Sequence, residues 1–178
     1  MSAHDPLQAL LDASFARASE HLRSIMTPER RLTADRLRAE LPCPAVLAIA
    51  TVTARGEPRV SAVDGHFLDD AWHFTTSGDS PKTRQLRARP AVSASFTPRD
   101  GYGVFCHGRA VFLERGDPDR AVVGDHFRDV YGASMDEWGE DIVCVRIAAD
   151  WLVGFAMTDA EFAEIERRQA ERRQRAQR

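Results

Sequence analysis

Lysine is almost missing from this chain: Lys82 is the only one, and every other member of its 24 basic residues is an arginine. A basic segment therefore says little by itself, whereas the one compact ammonium stands out, because a planar guanidinium does not replace a flexible point charge. Cysteine is scarce as well. Cys43, Cys106 and Cys144 are an odd number at wide spacing without a CxxC pair, which argues against a disulfide framework and a cysteine-rich zinc site. No apolar run approaches the ~20 residues of a membrane span, and the opening MSAHDPLQALLDASFARASEHL lacks the basic and apolar regions of a secretory leader. A soluble, cytoplasmic protein is expected. The formal charge of −3 gives no general attraction to nucleic acid. There is no internal repeat and no nucleophile elbow; Ser14 and Ser19 near His21, and Asp125 beside His126, lie on periodic helical segments and read as structural. The histidines show no paired ligand spacing, so no metal is expected.

What is present is enough for one core. The chain has 178 residues, 43% of them hydrophobic, which predicts one domain with terminal extensions: a helical segment over 1–41, a barrel over 42–157 and a basic helical tail over 158–178. From about Asp5 to Met26 the apolar positions Leu7, Leu10, Leu11, Phe15, Ala18, Leu22 and Ile25 follow a helical period that Thr27-Pro28 interrupts, and a second helix starts from an N-cap at Thr33. At Ala45 the period becomes strand-like. VLAIATVT, the turn ARGE and the alternating PRVSAVDGHFL predict a hairpin, and a turn at Asp69-Asp70 leads into the strand WHFTTS. Ala91 to Phe96 and Tyr102 to Glu114 resume strand, Pro118 to about Tyr131 reads as a helix capped by Asp117, and Asp141 to Ala156 gives a last strand or strand pair bent near Ala149-Asp150. About six mostly sequential antiparallel strands with short helices between them predict a closed or nearly closed barrel, not a parallel sheet.

Between two of those strands, Trp72 to Phe96 contains an anion-site pattern. Ser80 is a suitable N-cap, Pro81 fits the first helical position, and Lys82 falls in the first turn. Backbone N–H groups, the positive end of a helix dipole and an ammonium would converge there, with the hydroxyls of Thr75, Thr76 and Ser77 nearby. A phosphate suits such a place. Asp79 adds a negative charge beside it.

The segment FTTSGDSPKTRQLRARPAVSASF resembles the cofactor-binding segment of the pyridoxamine 5′-phosphate oxidase-like, FMN-binding split-barrel proteins. The resemblance covers roughly Leu41 to Phe155 and includes the hairpin with Arg59, the pair Phe74-Thr75, the Ser80-x-Lys82 element, Leu86, Pro90 and Gly108. It implies a mainly β fold with flanking helices, an antiparallel split β-barrel that forms a homodimer with FMN in clefts between the subunits. Arg59 and Lys82 would meet the flavin phosphate, Val60, Ser61 and Ala62 would run along the ring edge, and Phe74 and Thr75 would contact the cofactor. Members that oxidise pyridoxamine phosphate carry a lysine where this chain has Asp64, an arginine at Pro81 and a glutamine at Gly103, and their C-terminal arginine-containing motif is not recognisable here. Pyridoxamine phosphate is therefore not the expected substrate.

With FMN bound, the redox chemistry belongs to the cofactor and the protein orients it and tunes its ring. Of the strand histidines His66, His73 and His107, His107 beside Gly108 is the candidate proton donor. Trp138 and Trp151 read as core or interface anchors. Three functions fit these residues: an FMN-dependent oxidoreductase acting on a small molecule, a deazaflavin-dependent reductase on the same fold, and a non-enzymatic flavin- or haem-binding module.

Overall fold

The computed structural model describes residues 5–176. Three short helices precede the barrel. In α1 (Pro6–Ala16) the Asp5 carboxylate caps the Leu7 and Gln8 N–H groups and Pro6 occupies the first turn; α2 spans Glu20–Ile25 and α3 spans Ala34–Glu40 from an N-cap at Thr33. The single helix expected from Asp5 to Met26 is thus two. The break at residues 17–19 is set by docking: the Ser14 hydroxyl accepts the Leu152 N–H at 2.9 Å, and Arg17 donates to the Asp150 carbonyl at 2.6 Å. Ser19 then caps a new helix that buries none of its own residues. An apolar period carries no trace of such a stop.

Six antiparallel strands follow: β1 (Ala45–Val52), β2 (Pro58–Leu68), β3 (Ala71–Ser77), β4 (Ala91–Phe96), β5 (Tyr102–Leu113) and β6 (Ile142–Ala156). They close into a barrel in the order β1-β2-β3-β6-β5-β4. The β2–β3 turn is the two-residue type in which both positions take positive φ, here 46° at Asp69 and 64° at Asp70. β6 is one strand, not a pair. Its ladder with β5 slips where His107 faces Trp151 and Gly108 faces Ala149, so Asp150 is the extra residue of a β-bulge. Gly108 is required there, since a Cβ would lie 2.1 Å from the Ala148 carbonyl oxygen.

Inward-facing Leu47, Ile49, Trp72, Phe74, Val145 and Ile147 fill the barrel, and Leu86 of α4 (Pro81–Ala88) joins the same cluster. A second, smaller cluster lies outside, where α5 (Pro118–Tyr131) lays Val123 and Phe127 over Leu113 and Cys144. Arg120 anchors that helix from within: its buried guanidinium meets Asp136 at 2.5 Å and the Leu113 carbonyl at 2.8 Å. A 3-10 turn, Met135–Glu137, connects onward to β6. The last helix, α6 (Asp159–Ala176), opens on a reciprocal cap in which Thr158 accepts the Glu161 N–H and Glu161 accepts the Thr158 N–H, while Arg30 pairs with the same carboxylate at 2.6 Å. No described helix is long and apolar enough to cross a membrane.

Candidate functional site

The barrel is not evenly laced. β2 pairs with the full length of β1 from Pro58 to Gly65, but with β3 only where Gly65–Leu68 faces Ala71–Phe74. Beyond Phe74, β3 stays with β6 through Thr75, Thr76 and Ser77. Residues 58–64 of β2 and 75–77 of β3 therefore turn unpaired edges toward a split. Unpaired N–H and C=O groups along two strand edges are well suited to a flat heteroaromatic ring with its own donors and acceptors.

α4 begins where β3 ends. Ser80 caps it by accepting the Thr83 N–H at 3.3 Å, Pro81 brings no N–H, and the Thr83 hydroxyl donates to the Ser77 carbonyl at 2.7 Å. That leaves the Lys82 N–H and the half-buried Lys82 ammonium, which has no hydrogen bond or ion pair among the described residues. Thr51 of β1 reaches Gln85 at 2.5 Å and ties the helix to the hairpin.

The other residues expected at this site are placed as follows. Arg59 is exposed and donates to Glu57 at 2.8 Å, so its guanidinium is engaged with its own hairpin. Val60 and Ala62 are exposed on the outer face of β2, and Ser61 is half-buried. Phe74 is fully buried in the core. Thr75, Thr76 and Ser77 are half-buried, and strand alternation sends Thr76 to the face opposite Thr75 and Ser77, so the three hydroxyls do not converge. The Ser77 hydroxyl is taken by two carboxylates, that of Asp79 and, at 2.5 Å, that of Asp141. The Asp79 carbonyl accepts from Arg84, so both polar ends of this aspartate serve the loop itself.

His107 lies on the outer face of β5, in a cleft of about 330 Å³ lined by Thr51, Val52, Pro58, Ser93 and Asp150. Its Nδ1 is 2.8 Å from the Ser93 hydroxyl and its ring stacks on Trp151 at 4.8 Å. Trp151 in turn donates to the Ser14 carbonyl at 3.1 Å, so α1 steadies one wall of this cleft. His66 and His73 are buried, and burial pushes each imidazole down from 6.5 to about 4, which keeps both neutral. His66 is also part of a grouping that no spacing in the sequence displays: it meets Cys43 and His126 under α5.

Among solved structures, the chain resembles an FAD-binding protein from Mesorhizobium loti (24% identity, TM-score 0.57, covering 72% of this chain and 97% of that one). It also resembles the haem storage protein of Vibrio cholerae (20% identity, TM-score 0.57, covering 68% and 93%). An F420 reductase matches at 22% identity and a TM-score of 0.50, covering 65% and 94%. At these identities they share the fold. No curated protein matches the chain in sequence. A family model described as pyridoxamine 5′-phosphate oxidase matches residues 33–166, well over half of the chain and all six strands. The split between β2 and β3 and the Ser80-Pro81-Lys82 helix start thus lie within the matched region, and the chain belongs to the pyridoxamine 5′-phosphate oxidase family.

Proposed function

We propose that this protein is a homodimeric, FMN-dependent oxidoreductase acting on a small molecule. The observation that carries it is the Lys82 ammonium at the start of α4, without a partner among the described residues and placed after the β3 segment whose edge is left free by the split. A phosphate bearing a flat polar ring fits both features at once. Lys82 would hold the phosphate with its ammonium and backbone N–H, Thr75 would offer its hydroxyl while Thr76, on the opposite face of β3, would contribute backbone groups at the free edge, and Arg59 would join by exchanging Glu57 for the anion. Val60, Ser61 and Ala62 would follow the ring edge with backbone groups, and Phe74 would back the site from the core. Ser77 and Ser80 would act at one remove, by fixing the loop.

Bound FMN supplies reversible two-electron transfer. The chain's own part is to orient it, exclude water and place a proton. His107 is suited to holding that proton: with the Ser93 hydroxyl as donor to Nδ1, 2.8 Å away, the imidazole N–H would sit on Nε2, and stacking on Trp151 fixes the ring. With aspartate at position 64 in place of the family's lysine, a substrate other than pyridoxamine phosphate is expected.

The test is titration of apoprotein with FMN and, in parallel, with a deazaflavin, followed by fluorescence and mass. Stoichiometric FMN binding is the expected result. The fold shared with an F420 reductase makes deazaflavin preference the second reading, and binding of neither would overturn the proposal.

A further inference from the structure

We propose that Cys43, His66 and His126 form a metal site that takes a zinc-class divalent cation. The three residues come from separate elements: the link between α3 and β1, the late part of β2, and α5. Their donor atoms form a near-equilateral triangle, with Cys43 Sγ 3.3 Å from His66 Nδ1 and 3.2 Å from His126 Nε2, and the two nitrogens 3.0 Å apart. Tetrahedral zinc, with nitrogen ligands at about 2.0–2.1 Å and thiolate at about 2.3 Å, separates adjacent donor atoms by roughly 3.3–3.6 Å. The triangle is therefore one face of such a tetrahedron, contracted by about 0.3 Å. Three ligands leave a fourth position for water.

Hydrogen bonding alone does not account for three mutual contacts. Each imidazole nitrogen carries either one proton or one lone pair, so at most two of the three contacts can be well-formed hydrogen bonds. A cation accepting three lone pairs satisfies all of them. The ligands are also prepared. Tyr131 Oη lies 3.1 Å from His66 Nε2; with metal on Nδ1 the ring would carry its proton on Nε2 and donate it to this oxygen, the outer-shell arrangement usual for metal-bound histidine. The His66 ring is held between Phe127 at 4.4 Å and Tyr131 at 5.6 Å. Cys43 is exposed, so a cation can reach its thiol from solvent, and binding would release the thiol proton. Bound metal would clasp α5 to the barrel.

The experiment is a Co²⁺ titration of the full, tag-free chain, chelator-treated and kept reduced. One equivalent should produce a thiolate-to-cobalt charge-transfer band with visible bands of tetrahedral intensity, and Zn²⁺ should displace it. Cys43→Ser should abolish the charge-transfer band, since Cys106 and Cys144 are buried. His126→Asn should weaken binding by more than the roughly tenfold typical of a lost outer-shell partner. Circular dichroism verifies that each variant folds, and either variant alone suffices. Absence of the band in folded wild type, or binding unchanged in both variants, would overturn the proposal.

Discussion

Lys82 and His73 show how one side chain can be read from its partners. Lys82 is half-buried and its ammonium lacks a described partner, so it contributes little to the fold and is free for a ligand. Lys82→Ala is expected to weaken FMN binding about 5- to 150-fold, the equivalent of about 1–3 kcal/mol for a charged hydrogen bond, with an unchanged melting temperature. Fluorescence titration measures the first and calorimetry the second; unchanged affinity would remove Lys82 from the site. His73 is the reverse case, buried and donating from Nδ1 to the Ala71 carbonyl at 3.2 Å. Its pKa falls from 6.5 to about 4 on folding, chiefly through desolvation. Below pH 6.5 the unfolded chain takes up a proton that the folded one refuses until about 4. Stability should therefore decline as pH falls through that window, and His66, shifted the same way, adds to the slope. Asp5 and Glu161, held at about 2 by Arg38 and Arg30, act mainly at lower pH. Melting temperatures from pH 7 to 4.5 should fall less steeply for His73→Gln than for wild type.

At the level of elements, the docking of α1 on β6 is the feature most open to a single substitution. Ser14 is fully buried, and its hydroxyl is the acceptor for the Leu152 N–H. Ser14→Ala leaves that buried donor without a partner and should cost about 1–3 kcal/mol in urea denaturation. A loss near zero would mean that water reaches the strand. This contact also shows where sequence runs out. Period-two alternation, the Asp69-Asp70 turn and the caps at Thr33, Ser80 and Asp117 are local, and each stands where the residues predict it. The break between α1 and α2 is not local, since it follows from residues more than a hundred positions away. The bend expected near Ala149-Asp150 is a bulge, which Gly108 on the neighbouring strand accommodates by having no Cβ where the Ala148 carbonyl approaches. The loop at Ser80 is legible down to its cap, whereas the engagement of Ser77 by Asp141 depends on a residue far along the chain. Cys43, His66 and His126 carry no spacing signal at all, because the barrel and α5 alone bring them together.

For the whole molecule, the outer face of the β1–β2 hairpin is the part left unfinished. Register places Ala48 opposite Ala62 and Ala50 opposite Val60, and alternation puts Val46 and Val52 on the same face. Val46 is 67% and Val60 72% exposed, and a cleft of about 500 Å³ runs beside them between Pro44, Val46, Ala62 and Ser95. Contiguous apolar residues on a sheet face mark an association surface. A second copy of this chain, meeting the first across a two-fold axis, would bury that patch and bring its own sheet face toward the split between β2 and β3. Wild type is therefore expected to sediment as a dimer. Val60→Glu would place a carboxylate from each subunit in the apolar contact, where neither charge finds a partner, and should yield monomers. Val60 is too exposed for the change to disturb the barrel, so circular dichroism should be unaltered. Sedimentation and FMN titration together then separate two outcomes. Monomers that have lost FMN affinity would mean the cleft is completed by the partner, and a wild-type monomer binding FMN stoichiometrically would place the whole site on one chain and overturn the dimer.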